Sequence, residues 1–204
     1  MHMDSILTIF NFEIYFPIII GYISGSVPYG ILVTYFFGFG DIRNLGSGNI
    51  GATNVLRTGN KKIAIIVLFL DFFKSFFPTI VFSYYFDVHS AILCGSLSIL
   101  GHMFPVWIKF KGGKGIASLF GFILAINPIF FIILLTIWLI IAIITKFSSL
   151  SSIITTISML FLFLLYDNNT NIVIPLTITI LIIIKHKKNI ERLFKGKESK
   201  IKLL

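Results

Sequence analysis

Three polar segments interrupt an otherwise apolar chain of 204 residues. The first reads Gly46-Ser47-Gly48-Asn49-Ile50-Gly51-Ala52-Thr53-Asn54 and continues into Val55-Leu56-Arg57. Ser47, Asn49, Thr53 and Asn54 offer hydroxyls and amides, and Arg57 offers a planar fork that matches phosphate geometry. The glycines allow close backbone approach or a positive φ. A capped helix start would use the same residue types, because Ser or Asn ahead of an apolar run commonly does only that. The second segment runs Lys109-Phe110-Lys111-Gly112-Gly113-Lys114-Gly115 into Ile116-Ala117-Ser118. A glycine turn opening a helix presents N–H groups, the positive helix end and a lysine, which together suit an anion. It is not a nucleotide-type phosphate loop, since Gly115 follows the lysine and Ile108 stands where the upstream glycine would be. A basic loop at a membrane edge is the plainer reading of the same lysines. The third segment is Lys185-His186-Lys187-Lys188-Asn189-Ile190-Glu191-Arg192. On a helix His186 and Asn189 share a face. A basic tail drawn to anionic lipid explains the lysines but not that aligned pair. His186 and Glu191 would lie about 140° apart on a helix of 3.6 residues per turn, so they form no catalytic pair.

Elsewhere the chain offers few reactive groups. Cys94 is the single cysteine and sits in an apolar run, which excludes a disulfide framework and a cysteine-built metal site. No candidate metal ligands group together. Asp71 and Lys74, three apart within an apolar stretch, read first as a structural ion pair. His102 reads as a packing histidine at the end of another.

These segments must be held by membrane helices. Hydrophobic residues make up 56% of the chain and charged residues 12%, with a mean hydropathy of +0.97. A soluble domain carries roughly 25% charged residues, so too few polar side chains exist to cover a surface facing water. Composition therefore excludes a soluble enzyme and a nucleic-acid module, despite the net charge of +9. A spanning helix needs about 20 apolar residues. The sequence predicts a single all-α integral membrane domain over 1–204, with spans at 14–37, 63–86, 90–108, 116–126, 129–144, 149–165 and 172–184. No basic region or small-residue cleavage site precedes Glu13, so no cleaved signal peptide is expected. Gly21 and Gly25 in the first span allow close helix contact.

Charge distribution divides the run 116–144 in two at Asn127-Pro128. With seven spans, Arg43, Arg57, Lys61, Lys62, Lys109, Lys111, Lys114, Lys146 and the eight Lys and Arg from Lys185 onward lie on one side. Asp4, Glu13, Asp87 and Asp167 mark the other. The positive-inside rule then places the N-terminus outside and the C-terminus in the cytoplasm.

Taken together, the segments resemble those of the bacterial acyl-phosphate:glycerol-3-phosphate acyltransferases, the PlsY family. The likeness runs over nearly the whole chain. It includes Gly21 to Pro28, Gly46 to Arg57, Asp71 and Lys74, Gly101-His102-Met103-Phe104-Pro105, Gly112 to Gly115, Ser149, and His186 with Asn189. Ser148 and Ser151 stand where hydrophobic or small residues are usual in that family. The resemblance implies a seven-helix membrane bundle in the bacterial inner membrane with its active site on the cytoplasmic side. It implies transfer of a fatty acyl group from acyl-phosphate to glycerol 3-phosphate, giving lysophosphatidic acid and phosphate, without metal or cofactor. It also implies a soluble acyl-phosphate synthase as the source of donor, and no nucleic-acid partner. Ser47, Arg57, His186 and Asn189 are the expected catalytic residues. Asn49, Thr53, Asn54, Gly112, Gly113, Lys114, Gly115 and Ser149 are the expected substrate-binding residues. A transporter of a small phosphorylated solute is the rival reading, since transporters also use glycines and broken spans. Against it, the polar groups gather at one face, with little at depth beyond Asp71 and Lys74.

Overall fold

Without water to satisfy a backbone, apolar runs of this length must close their hydrogen bonds internally, and among the described residues they do so as helices. The computed structural model describes residues 12–166 and 172–201; the side chains of Phe12, Glu13 and Tyr166 are excepted. Asp4 and Asp167, expected outside, fall beyond the described residues. Five described helical segments are long and apolar enough to cross a membrane, and Ile116–Ile126 and Val173–Lys185 are shorter apolar helices. The chain divides into two compact units, Met1–Ile126 and Asn127–Leu204.

In the first unit, α1 (Phe12–Ser26) and α2 (Tyr29–Phe36) divide the expected span 14–37 at Pro28. Proline has no N–H and disfavours helical backbone before it, which ends α1. A long α3 (Lys61–Tyr85) follows, capped by the Asn60 side chain on Ile63 N at 3.1 Å. Then come α4 (Val88–Met103), capped by Asp87, and α5 (Ile116–Ile126). The span predicted over 90–108 is helical only to Met103, before Pro105 and a 3-10 turn at Val106–Ile108. α1 crosses α4 at backbone contact. A Cβ on Gly21 would strike the Cys94 carbonyl, one on Gly25 the Ser98 carbonyl, and one on Gly101 the Tyr22 carbonyl. The glycines of the first span are therefore packing glycines, as their spacing predicts.

In the second unit, α6 (Pro128–Thr145) starts at a side-chain cap: Asn127 Oδ1 accepts from Ile129 N and Phe130 N at 3.0 and 3.1 Å. Pro128 occupies the first helical position, where its missing N–H is harmless. Lys146, with φ 61°, turns the chain into α7 (Ser148–Tyr166). The two helices run antiparallel, since Phe130 near the start of one meets Phe163 near the end of the other at 5.7 Å between ring centroids. α8 (Val173–Lys185) packs on α7, and after His186 the chain continues as α9 (Lys187–Phe194).

Candidate active site

The first polar segment in the Met1–Ile126 unit is a loop built around Asn54. Its Oδ1 accepts from Ser47 N at 2.8 Å and from Ser47 Oγ at 3.2 Å. Its Nδ2 faces the carbonyls of Ile42, Leu45 and Asn49 at 3.1, 2.9 and 2.8 Å. Asn54 is only 2% exposed, and both ends of its carboxamide are engaged inside the loop. Asn54, expected to bind substrate, shapes the loop through these bonds. Asn49 closes a local turn, its Oδ1 accepting from Gly51 N at 2.9 Å. Ser47, Thr53 and Arg57 are exposed. Gly46, with φ 56°, lies against Asn54 and the Arg57 stem, where a Cβ would meet the amide oxygen. Beneath, Ile42, Ile50 and Val55 join Ile63, Ala64 and Val67 of α3 in a buried cluster. The Ile50 carbonyl lies where a Cβ on Gly30 of α2 would stand. The reactive side chains thus ride on a loop pinned from below.

The glycine loop lies between α4 and α5. Lys109 and Phe110 both take left-handed backbone, with φ 55° and 61°, and this returns the chain onto the end of α4. Gly112 N donates to Met103 O at 3.2 Å and Gly113 N to His102 O at 3.0 Å. Those two N–H groups, expected to cradle an anion, are thus engaged by the end of α4, and Lys114 beside them is half-buried. The glycines serve proximity instead. A Cβ on Gly112 would collide with the His102 carbonyl, and one on Gly113 with the His102 imidazole. Below them, Asp71 Oδ1 pairs with Lys74 Nζ at 2.7 Å, as the sequence predicts, and with His102 Nδ1 at 3.4 Å. Lys74 Nζ also donates to the Val27 carbonyl at 2.9 Å, an acceptor beside the helix break at Pro28.

In the Asn127–Leu204 unit, His186 is 1% exposed, and its Nδ1 lies 2.8 Å from the Ile182 carbonyl. A carbonyl only accepts, so Nδ1 carries a proton and Nε2 is the basic nitrogen of the neutral ring. Asn189 and Ser149 meet on Glu198, a residue that sequence reasoning passed over in the basic tail. Ser149 Oγ donates to Glu198 Oε1 at 2.9 Å, Asn189 Nδ2 to the same oxygen at 2.6 Å, and Arg192 Nε to Oε2 at 2.6 Å. Burial pushes the Glu198 carboxyl upward, but these hydrogen bonds outweigh it and hold it below its ordinary value. A lone acid among lysines after Gly196 was the available signal. Ile201 N donates to Lys146 O at 2.8 Å, closing the tail over the turn between α6 and α7. His186 and Glu191 make no contact that would revive them as a pair; Glu191 is exposed.

Fold and site define an all-helical integral membrane protein with polar, cation-bearing loops at its helix ends. The sequence model of the glycerol-3-phosphate acyltransferase family matches residues 15–196. The chain is 42% identical over 183 residues to a glycerol-3-phosphate acyltransferase of Rhizobium etli, covering 90% of this chain and 89% of that one. It is 45% identical over 186 residues to the Ehrlichia canis protein of the same name, covering 90% and 96%. Crystal structures of PlsY, an integral membrane glycerol 3-phosphate acyltransferase, are similar in fold. The glycerol 3-phosphate form has a TM-score of 0.86 at 38% identity, over 92% of this chain and 95% of that one. The lysophosphatidic acid form has a TM-score of 0.83 at 37% identity. The chain belongs to the glycerol-3-phosphate acyltransferase family.

Proposed function

We propose that this chain transfers a fatty acyl group from acyl-phosphate to the 1-hydroxyl of glycerol 3-phosphate, releasing lysophosphatidic acid and inorganic phosphate. The observation that carries the reading is family membership over nearly the full length, joined to a loop that Asn54 ties to Ser47 and that leaves Ser47 and Arg57 exposed. Acyl-phosphate is a mixed anhydride, and its leaving group departs without a strong acid. What the reaction needs is placement of two phosphates and neutralisation of their charge. Arg57 and Lys114 supply cations, and Ser47, Asn49, Thr53, Ser149 and Asn189 supply hydrogen bonds. Gly112, Gly113 and Gly115 let the second loop pack closely on α4, which sets where Lys114 stands for a phosphate. His186, through its imidazole, orients the attacking hydroxyl. A phosphate whose second pKa is near 6 accepts that hydroxyl's proton as the anhydride breaks.

The proposal extends to setting. Both units serve one acyltransferase domain of seven spans, N-terminus out and C-terminus in, in the bacterial inner membrane. Substrates then arrive from the cytoplasm, with a soluble acyl-phosphate synthase supplying the donor. The reaction so written requires no metal or cofactor, because the anhydride is already activated. The test is to incubate purified protein with glycerol 3-phosphate and either palmitoyl-phosphate or palmitoyl-CoA. Lysophosphatidic acid is expected only with palmitoyl-phosphate. Comparable turnover with palmitoyl-CoA would overturn the choice of donor.

A further inference from the structure

The Asp71, Lys74 and His102 cluster is buried within the apolar helices of the first unit, and the reaction proposed above makes no use of it. Burying a carboxylate and an ammonium together is unfavourable unless each is fully paired, and apolar side chains would pack α3 to its neighbours as well. The connections of Asp71 show what the cluster does instead. Its carboxylate faces His102 Nδ1 at 3.4 Å, at the end of α4, just before the glycine loop. Its backbone carbonyl accepts from Ser118 Oγ at 2.9 Å, in the first turn of α5, just after the loop. One residue thus meets the chain on both sides of Gly112–Gly115, by a close charge contact at His102 and a hydrogen bond at Ser118. Its carboxylate is fixed in turn by Lys74 Nζ at 2.7 Å, itself tethered to the Val27 carbonyl. His102 then grips the loop twice. Its carbonyl accepts from Gly113 N at 3.0 Å, and its imidazole fills the space that a Gly113 side chain would need.

We propose that Asp71 and His102 are positioning residues for the phosphate loop. They set the height and tilt of Lys114 and of the α5 first turn, and they touch no substrate themselves. Ser118 is the third member of the brace. The inference rests on the reading that this loop binds a substrate phosphate. A displaced loop weakens a contact made equally in ground and transition states, so the loss falls on KM rather than on kcat.

The experiment measures kcat and KM for glycerol 3-phosphate and for palmitoyl-phosphate in five purified variants. Lys114→Gln tests the loop itself and is expected to raise KM for one of the two substrates. His102→Ala is then expected to raise that same KM about tenfold with kcat changed by less than about threefold, and Ser118→Ala to raise it about threefold. Gly113→Ala is expected to raise it in the parent protein. In the double variant with His102→Ala it should add little, because the vacated ring space accepts the methyl group. If Lys114→Gln changes neither KM, the phosphate-loop reading fails and this inference with it. If Lys114→Gln raises KM but His102→Ala and Ser118→Ala do not, the loop reading stands and the positioning role is overturned. Strict additivity of Gly113→Ala and His102→Ala also counts against it. Should His102→Ala prevent folding, His102→Gln replaces it, and an unchanged KM in both His102→Gln and Ser118→Ala overturns the proposal.

Discussion

Asn54 organises its loop by accepting from Ser47 with one end of a carboxamide and donating to backbone carbonyls with the other. Replacing it by alanine removes the acceptor of Ser47 N and the donor to the Asn49 carbonyl, while the Ile42 and Leu45 carbonyls keep the N–H groups of Leu45 and Gly48; the cost is about 1–3 kcal/mol. Asn54→Ala is therefore expected to lower thermal stability in detergent and, through Ser47, kcat/KM as well. Alanine at Ser47, Arg57, His186 or Asn189 should each cut kcat/KM about a hundredfold or more while the protein still inserts, as for loss of a preorganised donor or charge. Near-normal turnover of His186→Ala would reduce the third segment to a lipid-facing tail. Glu198 carries a separate expectation. Its carboxyl is held below its ordinary value of 4.5 by Asn189, Arg192 and Ser149, against the upward push of burial. A carboxylate lowered in the folded state stabilises fully above its unfolded value, and that contribution is lost as pH falls through the folded one. Glu198→Gln should thus lower the melting temperature at pH 7, with the gap to the parent protein closing as pH falls below 4.5. A gap independent of pH would remove the charge from the argument.

At the scale of helices, proline and glycine act through geometry more than through propensity. Pro28 splits the first span, and the neighbouring Val27 carbonyl becomes an acceptor for Lys74. Gly25 lets α1 meet α4 at the Ser98 backbone. Gly25→Val has no flexible neighbour to displace, so the helices must separate; overpacking of this kind costs about 1–3 kcal/mol or more. The expected readout is a melting temperature lower than that of Gly38→Ala, whose site is open and whose loss comes only from its left-handed backbone at φ 79°. Equal effects of the two substitutions would mean that the α1–α4 crossing tolerates separation.

For the molecule as a whole, the topology is the quantity to measure. Seven spans put 41–62, 109–115 and 185–204 on one side. Single cysteines at Asn60, Lys111 and Lys200, with Cys94 replaced, should label only from the cytoplasm. External labelling at Lys200 would mean that 116–144 crosses once, leaving six spans.

Much of this architecture was legible because its signals are local. Run length and missing charge mark the spans, and Asn127-Pro128 ends one helix and caps the next within three residues. The expected residues of all three polar segments lie at helix ends, because Gly, Asn and Ser cannot extend an apolar helix cheaply. What could not be read were the partners. Ser149 meets Glu198 across 49 positions, and Ser118 meets Asp71 across 47. The amides of Gly112 and Gly113, which looked ready for an anion, turn back to Met103 and His102 instead. A side chain's type states which bonds it can make. Which bonds it does make depends on the groups that helix packing brings within 3 Å or so, and in a bilayer every backbone polar group must find one of them.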